Sequence, residues 1–70
     1  MEYYAILFVF YSDGTDSKKA IYTASSVDEA TALFHRYMGN YVNGDNVASV
    51  TCMAVDNYGN IFHNENWAAE

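Results

Sequence analysis

The chain has no proline, one cysteine, four glycines and three basic residues in seventy positions, and each scarcity closes off a class of protein. Cys52 has no partner in its own chain, so a disulfide scaffold is excluded and a reducing compartment fits. Two lysines and Arg36 cannot neutralise a run of phosphates, which argues against direct nucleic-acid binding. The apolar run Tyr3 to Tyr11 is far too short to cross a bilayer, and Met1-Glu2-Tyr3 carries no basic leader region. These features set the expectation of a cytosolic protein that does not engage a membrane.

Familiar binding motifs are missing too. His35 and His63 lie far apart without ligand spacing, so neither a zinc site nor any other cofactor is expected. Gly39 and Gly44 flank a loop that holds no lysine, unlike a phosphate-cradling loop. Asp13-Gly14-Thr15-Asp16-Ser17 lacks the alternating acids and closing glutamate of a calcium loop and reads as a solvated turn. Cys52 falls mid-strand between Thr51 and Met53, where a thiol is buried and inert. A Cys52–His63 nucleophilic pair on adjacent strands is the one catalytic arrangement the spacing allows, and its lack of access argues against an enzyme.

What the chain does have is acid and aromatic surface. Nine acids against three bases leave a formal charge of −6, and aromatics at 17% with 51% hydrophobic residues rule out a disordered tail. One domain spanning residues 1–70 is the only division this length allows. At this size apolar burial only narrowly offsets the entropy of ordering the chain. Stability must therefore come from dense aromatic packing or from a second copy of the chain.

Patterning orders the elements as ββαββ. Tyr3–Tyr11 shows Tyr3, Ala5, Leu7, Val9 and Tyr11 on one face and Tyr4, Ile6, Phe8 and Phe10 on the other. Both faces are apolar, which marks a central strand. After the polar turn, Lys19–Ala24 reads as a shorter edge strand guarded by lysine. Ser26-Val27-Asp28-Glu29 is a capping box that opens a helix of about three turns. Val27, Ala30, Phe34, Tyr37 and Tyr41 recur along one stripe, widened by Leu33 and Met38, and Gly39-Asn40 offers a stop. Val47–Val55 is a second doubly apolar strand, Asp56-Asn57-Tyr58-Gly59 a tight turn, and Asn60–Asn64 a polar final strand leading into Glu65-Asn66-Trp67. Apolar strands belong inside and polar ones at the edges. The predicted fold is α+β, a four-stranded antiparallel sheet of order 2-1-3-4 with one helix on one face.

One helix cannot cover both faces of such a sheet. Period-two alternation does not tell which face it takes, but either choice leaves at least four large residues of the first strand bare. An uncovered patch of that kind marks an interaction surface, and Tyr suits it with an apolar body and a polar tip. Tyr3, Tyr11 and Tyr22 are the expected anchors for a protein partner. The competing arrangement has Trp67 and the C-terminal segment folding under to seal the face. Asp13, Asp16, Asp45, Glu65 and Glu70 are expected to gather at one end, against Lys18, Lys19 and Arg36, where Asp13, Asp16 and Asp45 would steer a basic partner surface, unless the charge serves solubility alone, as is ordinary for a small domain. A homodimer with sheets packed face to face is the alternative use of the same surface.

A short acidic chain in which Ile21-Tyr22-Thr23-Ala24 runs into Ser25-Ser26-Val27-Asp28-Glu29-Ala30, followed by a hairpin through Asp56-Asn57-Tyr58-Gly59, resembles the small ββαββ proteins of phages and prophages. Some anti-CRISPR inhibitors share this plan and block a basic nucleic-acid channel or an enzyme surface by protein contact. The resemblance covers most of the chain, is architectural, and carries over no functional residue. It implies a non-enzymatic inhibitor of a host defence protein, acting in the host cytosol.

Overall fold

A computed structural model describes residues 1–69. The elements run β1 (Tyr3–Tyr11), β2 (Lys18–Ala24), α1 (Val27–Tyr41), β3 (Val47–Asp56) and β4 (Ile61–Ala68). They form one antiparallel sheet of order β2-β1-β3-β4 with the helix on one face, as the strand polarity predicts.

The helix covers the face built from small side chains. In register across β1 and β3, Ala5 meets Ala54, Leu7 meets Cys52 and Val9 meets Val50, and all six are fully buried. Against them α1 sets Ala30, Phe34 and Met38, three residues spaced by four along one stripe. The low ground around Ala5 and Ala54 lets the helix approach closely. The opposite face, with Tyr4, Ile6, Phe8 and Phe10 standing up from β1, is left uncovered.

Both ends of the helix are set locally. The Ser26 Oγ accepts from the Glu29 amide at 3.1 Å, as a capping box requires. The Glu29 carboxylate reaches back one residue further than expected, taking the Ser25 hydroxyl and the Ser25 amide, and these bonds hold its pKa below the ordinary glutamate range. Gly39-Asn40 does not stop the helix. Both residues stay helical, because the apolar stripe continues through Tyr41 and the Val42 amide still bonds Met38. The turn away comes at Asn43, whose φ of 61° is the left-handed conformation that asparagine tolerates. Gly44 follows where a Cβ would stand 3.0 Å from both the Tyr41 carbonyl and Val47, so the loop needs glycine there.

The β3–β4 turn closes as predicted on Gly59, at a φ of +88°. Asp56 organises it: one carboxylate oxygen accepts from the Tyr58 and Asn60 amides, and the other from the Asn60 side chain. The last strand is longer than its polarity suggested, reaching Ala68 and carrying Trp67 into register opposite Val50. A bulge near its start skips Phe62, between the Ala54–His63 and Val55–Ile61 pairs.

Candidate functional site

The uncovered face can be read off the strand registers. Across the sheet run Thr23–Tyr4–Val55–Ile61, then Ile21–Ile6–Met53–Asn64, then Lys19–Phe8–Thr51–Asn66, and at the far end Phe10–Ser49–Ala68. Its apolar centre lies over β2 and β1 and grades into hydroxyls and amides toward β4. Ile21 is 67% exposed, Ile61 58% and Phe10 47%, whereas Tyr4, Ile6, Phe8 and Met53 are half-buried by their own neighbours. The polar atoms at its margins are partly engaged already. The Thr51 hydroxyl donates to Asn66 Oδ1 at 2.7 Å, and the Tyr4 hydroxyl donates to the Glu2 carboxylate. That bond, which ionisation of Tyr4 would break, raises the phenol's pKa.

The described tail does not seal this face. Trp67 alternates onto the helix side, packed against the buried core, and the Ala69 amide extends the ladder to the Ala48 carbonyl. The alternative in which Trp67 and the tail close the sheet is corrected by strand parity: Trp67 opposite Val50 faces the helix.

The same parity corrects the expected anchors. Tyr3, Tyr11 and Tyr22 all stand on the helix side, half-buried against the core, and not on the open face. Tyr22 stacks on Tyr37 of the helix with ring centroids 4.0 Å apart and planes within 5°. Tyr41, close by on the same helix, lies under the Lys18 ammonium at 5.4 Å. Tyr22, Tyr37 and Tyr41 fill the wedge between α1 and the β2 edge, which a narrow helix leaves over a wider sheet, and Tyr3 packs toward Phe62 of β4. The tyrosine on the open face is Tyr4.

Asp13, Asp16 and Asp45 do come to one end of the sheet. The turn that carries Asp13 and Asp16 is tied to the loop that carries Asp45 by the Ser12 amide, which donates to the Asn46 carbonyl at 2.7 Å. Asp13 Oδ1 accepts from the Thr15 amide at 3.0 Å, and hydrogen bonds from Thr15 keep its pKa low. Glu65 does not join them. It sits mid-strand opposite Cys52, because β4 runs on past it. Glu70 lies outside the described residues. A shallow cleft at this end, lined by Asn43, Gly44, Val47 and residues 67–69, holds no ionisable group among its described lining.

Two further groupings bear on chemistry. Cys52 is fully buried, and burial pushes its thiol pKa up, so the thiolate is disfavoured where it stands. His35 and His63, distant in sequence, are brought to 5.8 Å between ring centroids, with Phe34 stacked on His63 at 5.2 Å. Helix-on-sheet packing creates this pair, and no spacing rule along the chain could have found it. Among the described residues it lacks a third ligand, and no group of three or more His, Cys, Asp or Glu is placed to hold a metal ion. No helix of the described residues is long and apolar enough to cross a membrane.

Comparison with known proteins finds no matching family model, no similar curated protein and no matching solved structure.

Proposed function

We propose that this chain is a non-enzymatic protein-interaction module that docks through the open sheet face, with its acidic end directed at a basic partner surface. One observation carries the reading: Ile21, Ile6 and Met53 form a continuous apolar row, flanked by Tyr4, Phe8 and Phe10, that neither the helix nor the described tail covers. Contiguous apolar surface of this kind is costly in water and is retained where something binds it. Asp13, Asp16 and Asp45 supply negative charge at the end where the first turn meets the α1–β3 loop, beside Lys18 and Lys19 at the start of β2, and the chain's net charge of −6 favours approach of a cationic partner. An inhibitor of a host defence protein, carried by a phage or mobile element and working in the host cytosol, is the role such a surface suits. It would occlude a channel that normally receives nucleic acid. The burial of Cys52 and its raised pKa support a role without nucleophilic catalysis.

The test is the face itself. The native chain is expected either to bind a hydrophobic dye there or to sediment above its monomer mass. Phe10→Ser and Ile21→Glu should remove that behaviour while leaving the far-ultraviolet circular dichroism unchanged. A native chain that is strictly monomeric and binds no dye overturns the reading.

A further inference from the structure

Resting on that reading, we infer that the occupant of the open face is a second copy of this chain, seated face to face about a two-fold axis, which leaves both acidic ends free for the basic partner.

The distribution of charge is the first argument. Among the described residues, no acid occupies a strand position on the open face; Glu2 precedes β1, and the turns, loops, helix and helix-side register positions carry the others. Two chains of charge −6 meet with least repulsion through this face. Its ionised groups are Lys19, in the row with Phe8, and Glu2, whose carboxylate holds the Tyr4 hydroxyl at the opposite end of β1. Opposite signs at opposite ends make the face self-complementary. A two-fold axis that runs parallel to the sheet, above its open face and across the strands, reverses one copy end for end, bringing each Lys19 toward the other copy's Glu2. The contact is isologous, and it closes at two chains.

Size and composition are the second argument. Four strands at about 4.8 Å spacing and about seven residues of length give a footprint of roughly 450 Å² in projection. Side-chain relief raises this toward the roughly 800 Å² per partner of a standard interface. The β2–β1 side is aliphatic and aromatic, with Lys19 and Thr23 beside it, and Thr51, Asn64 and Asn66 make the side toward β4 polar, so the face mixes apolar contact area with hydrogen-bonding groups as interfaces do. The Thr51–Asn66 bond at 2.7 Å and the Tyr4–Glu2 bond satisfy groups that sheet packing would otherwise strand.

Sedimentation velocity of the full chain across a concentration series tests this, with Ile21→Glu as the probe because that side chain is already 67% exposed and its loss does not disturb the core. Tyr58→Ser, an exposed aromatic in the β3–β4 turn, is the control. The native chain and Tyr58→Ser should sediment as dimers. Ile21→Glu should sediment as a monomer with native circular dichroism, its dimer dissociation constant raised on the order of a hundredfold, since both copies carry the buried charge. A dimer that survives Ile21→Glu overturns the face as the seat. A native monomer whose dye binding is lost in Ile21→Glu overturns the second copy but keeps the docking face, whereas a native monomer that binds no dye overturns both.

Discussion

Asp56 shows how one side chain can hold a turn. It is 5% exposed, and its two carboxylate oxygens receive three donors from Tyr58 and Asn60. The Asn60 side chain is the main reason its pKa lies below the ordinary aspartate range, with backbone donors adding to it. A lowered native pKa means that the folded state binds this proton less readily than the unfolded chain. The contribution to stability is therefore complete above about pH 4 and fades as pH falls through the native pKa. Asp56→Ala should lower the melting temperature by about 5 °C at neutral pH, and the gap to the native protein should narrow in acid. A gap that stays constant to pH 2 would refute this role. Cys52, also buried, offers the contrasting case in which burial silences a reactive group. The His35–His63 approach was not legible in the sequence, because proximity across a helix–sheet seam depends on which helix face packs and how far β4 extends.

At the level of the elements, the helix carries a defect that its surroundings do not require. Gly39 sits inside α1, with an ordinary φ and nothing within 4 Å of where a Cβ would be. Gly39→Ala should stabilise the fold by about 0.8–1 kcal/mol, through the entropy the unfolded chain no longer gains, and urea denaturation measures it. A loss of stability would refute the reading of Gly39 as an open helix position. The N-terminus behaves oppositely, since Ser26 is already a satisfied cap, and Ser26→Ala should cost about 1 kcal/mol. Capping chemistry is local, which is why the start of α1 was readable to the residue. Its end runs past the expected Gly39-Asn40 stop to Tyr41, because a glycine can lie within a helix whenever the apolar stripe continues beyond it.

For the whole molecule, charge and apolar surface are separated in space. Most described acids occupy the turns, the helix surface and the helix-side margin, and the open face carries its greasy row with Lys19 at one end and Glu2 at the other. Two copies approaching with centres about 20 Å apart would repel by ~7 kcal/mol unscreened in water. About half of that persists at 0.01 M salt and under a tenth at 0.15 M. The two rim pairs of Lys19 and Glu2 are worth at most about 1 kcal/mol each, so repulsion decides the sign. Self-association should tighten by about tenfold between low and physiological salt, as sedimentation equilibrium can follow. Contact of the acidic end with a basic partner should weaken over the same range, so the two surfaces respond to salt in opposite directions.

Alternation, capping and turn chemistry act between neighbours in the chain, and they were enough to order the elements, place the two doubly apolar strands in the middle and seat Gly59 in its turn. Those rules say nothing about which of two apolar faces a helix will choose. That choice is made by volume: Ala5 against Ala54 gives the helix a shallow bed, and Tyr22 on Tyr37 fills the wedge beside it. Once the helix settles there, Tyr3, Tyr11 and Tyr22 become packing, and Tyr4, Ile6, Phe8, Phe10 and Ile21 form the surface presented to a partner. Side-chain size summed over several strands and a helix has no signature in any local window, and so the identity of the docking face emerged only from the packed molecule.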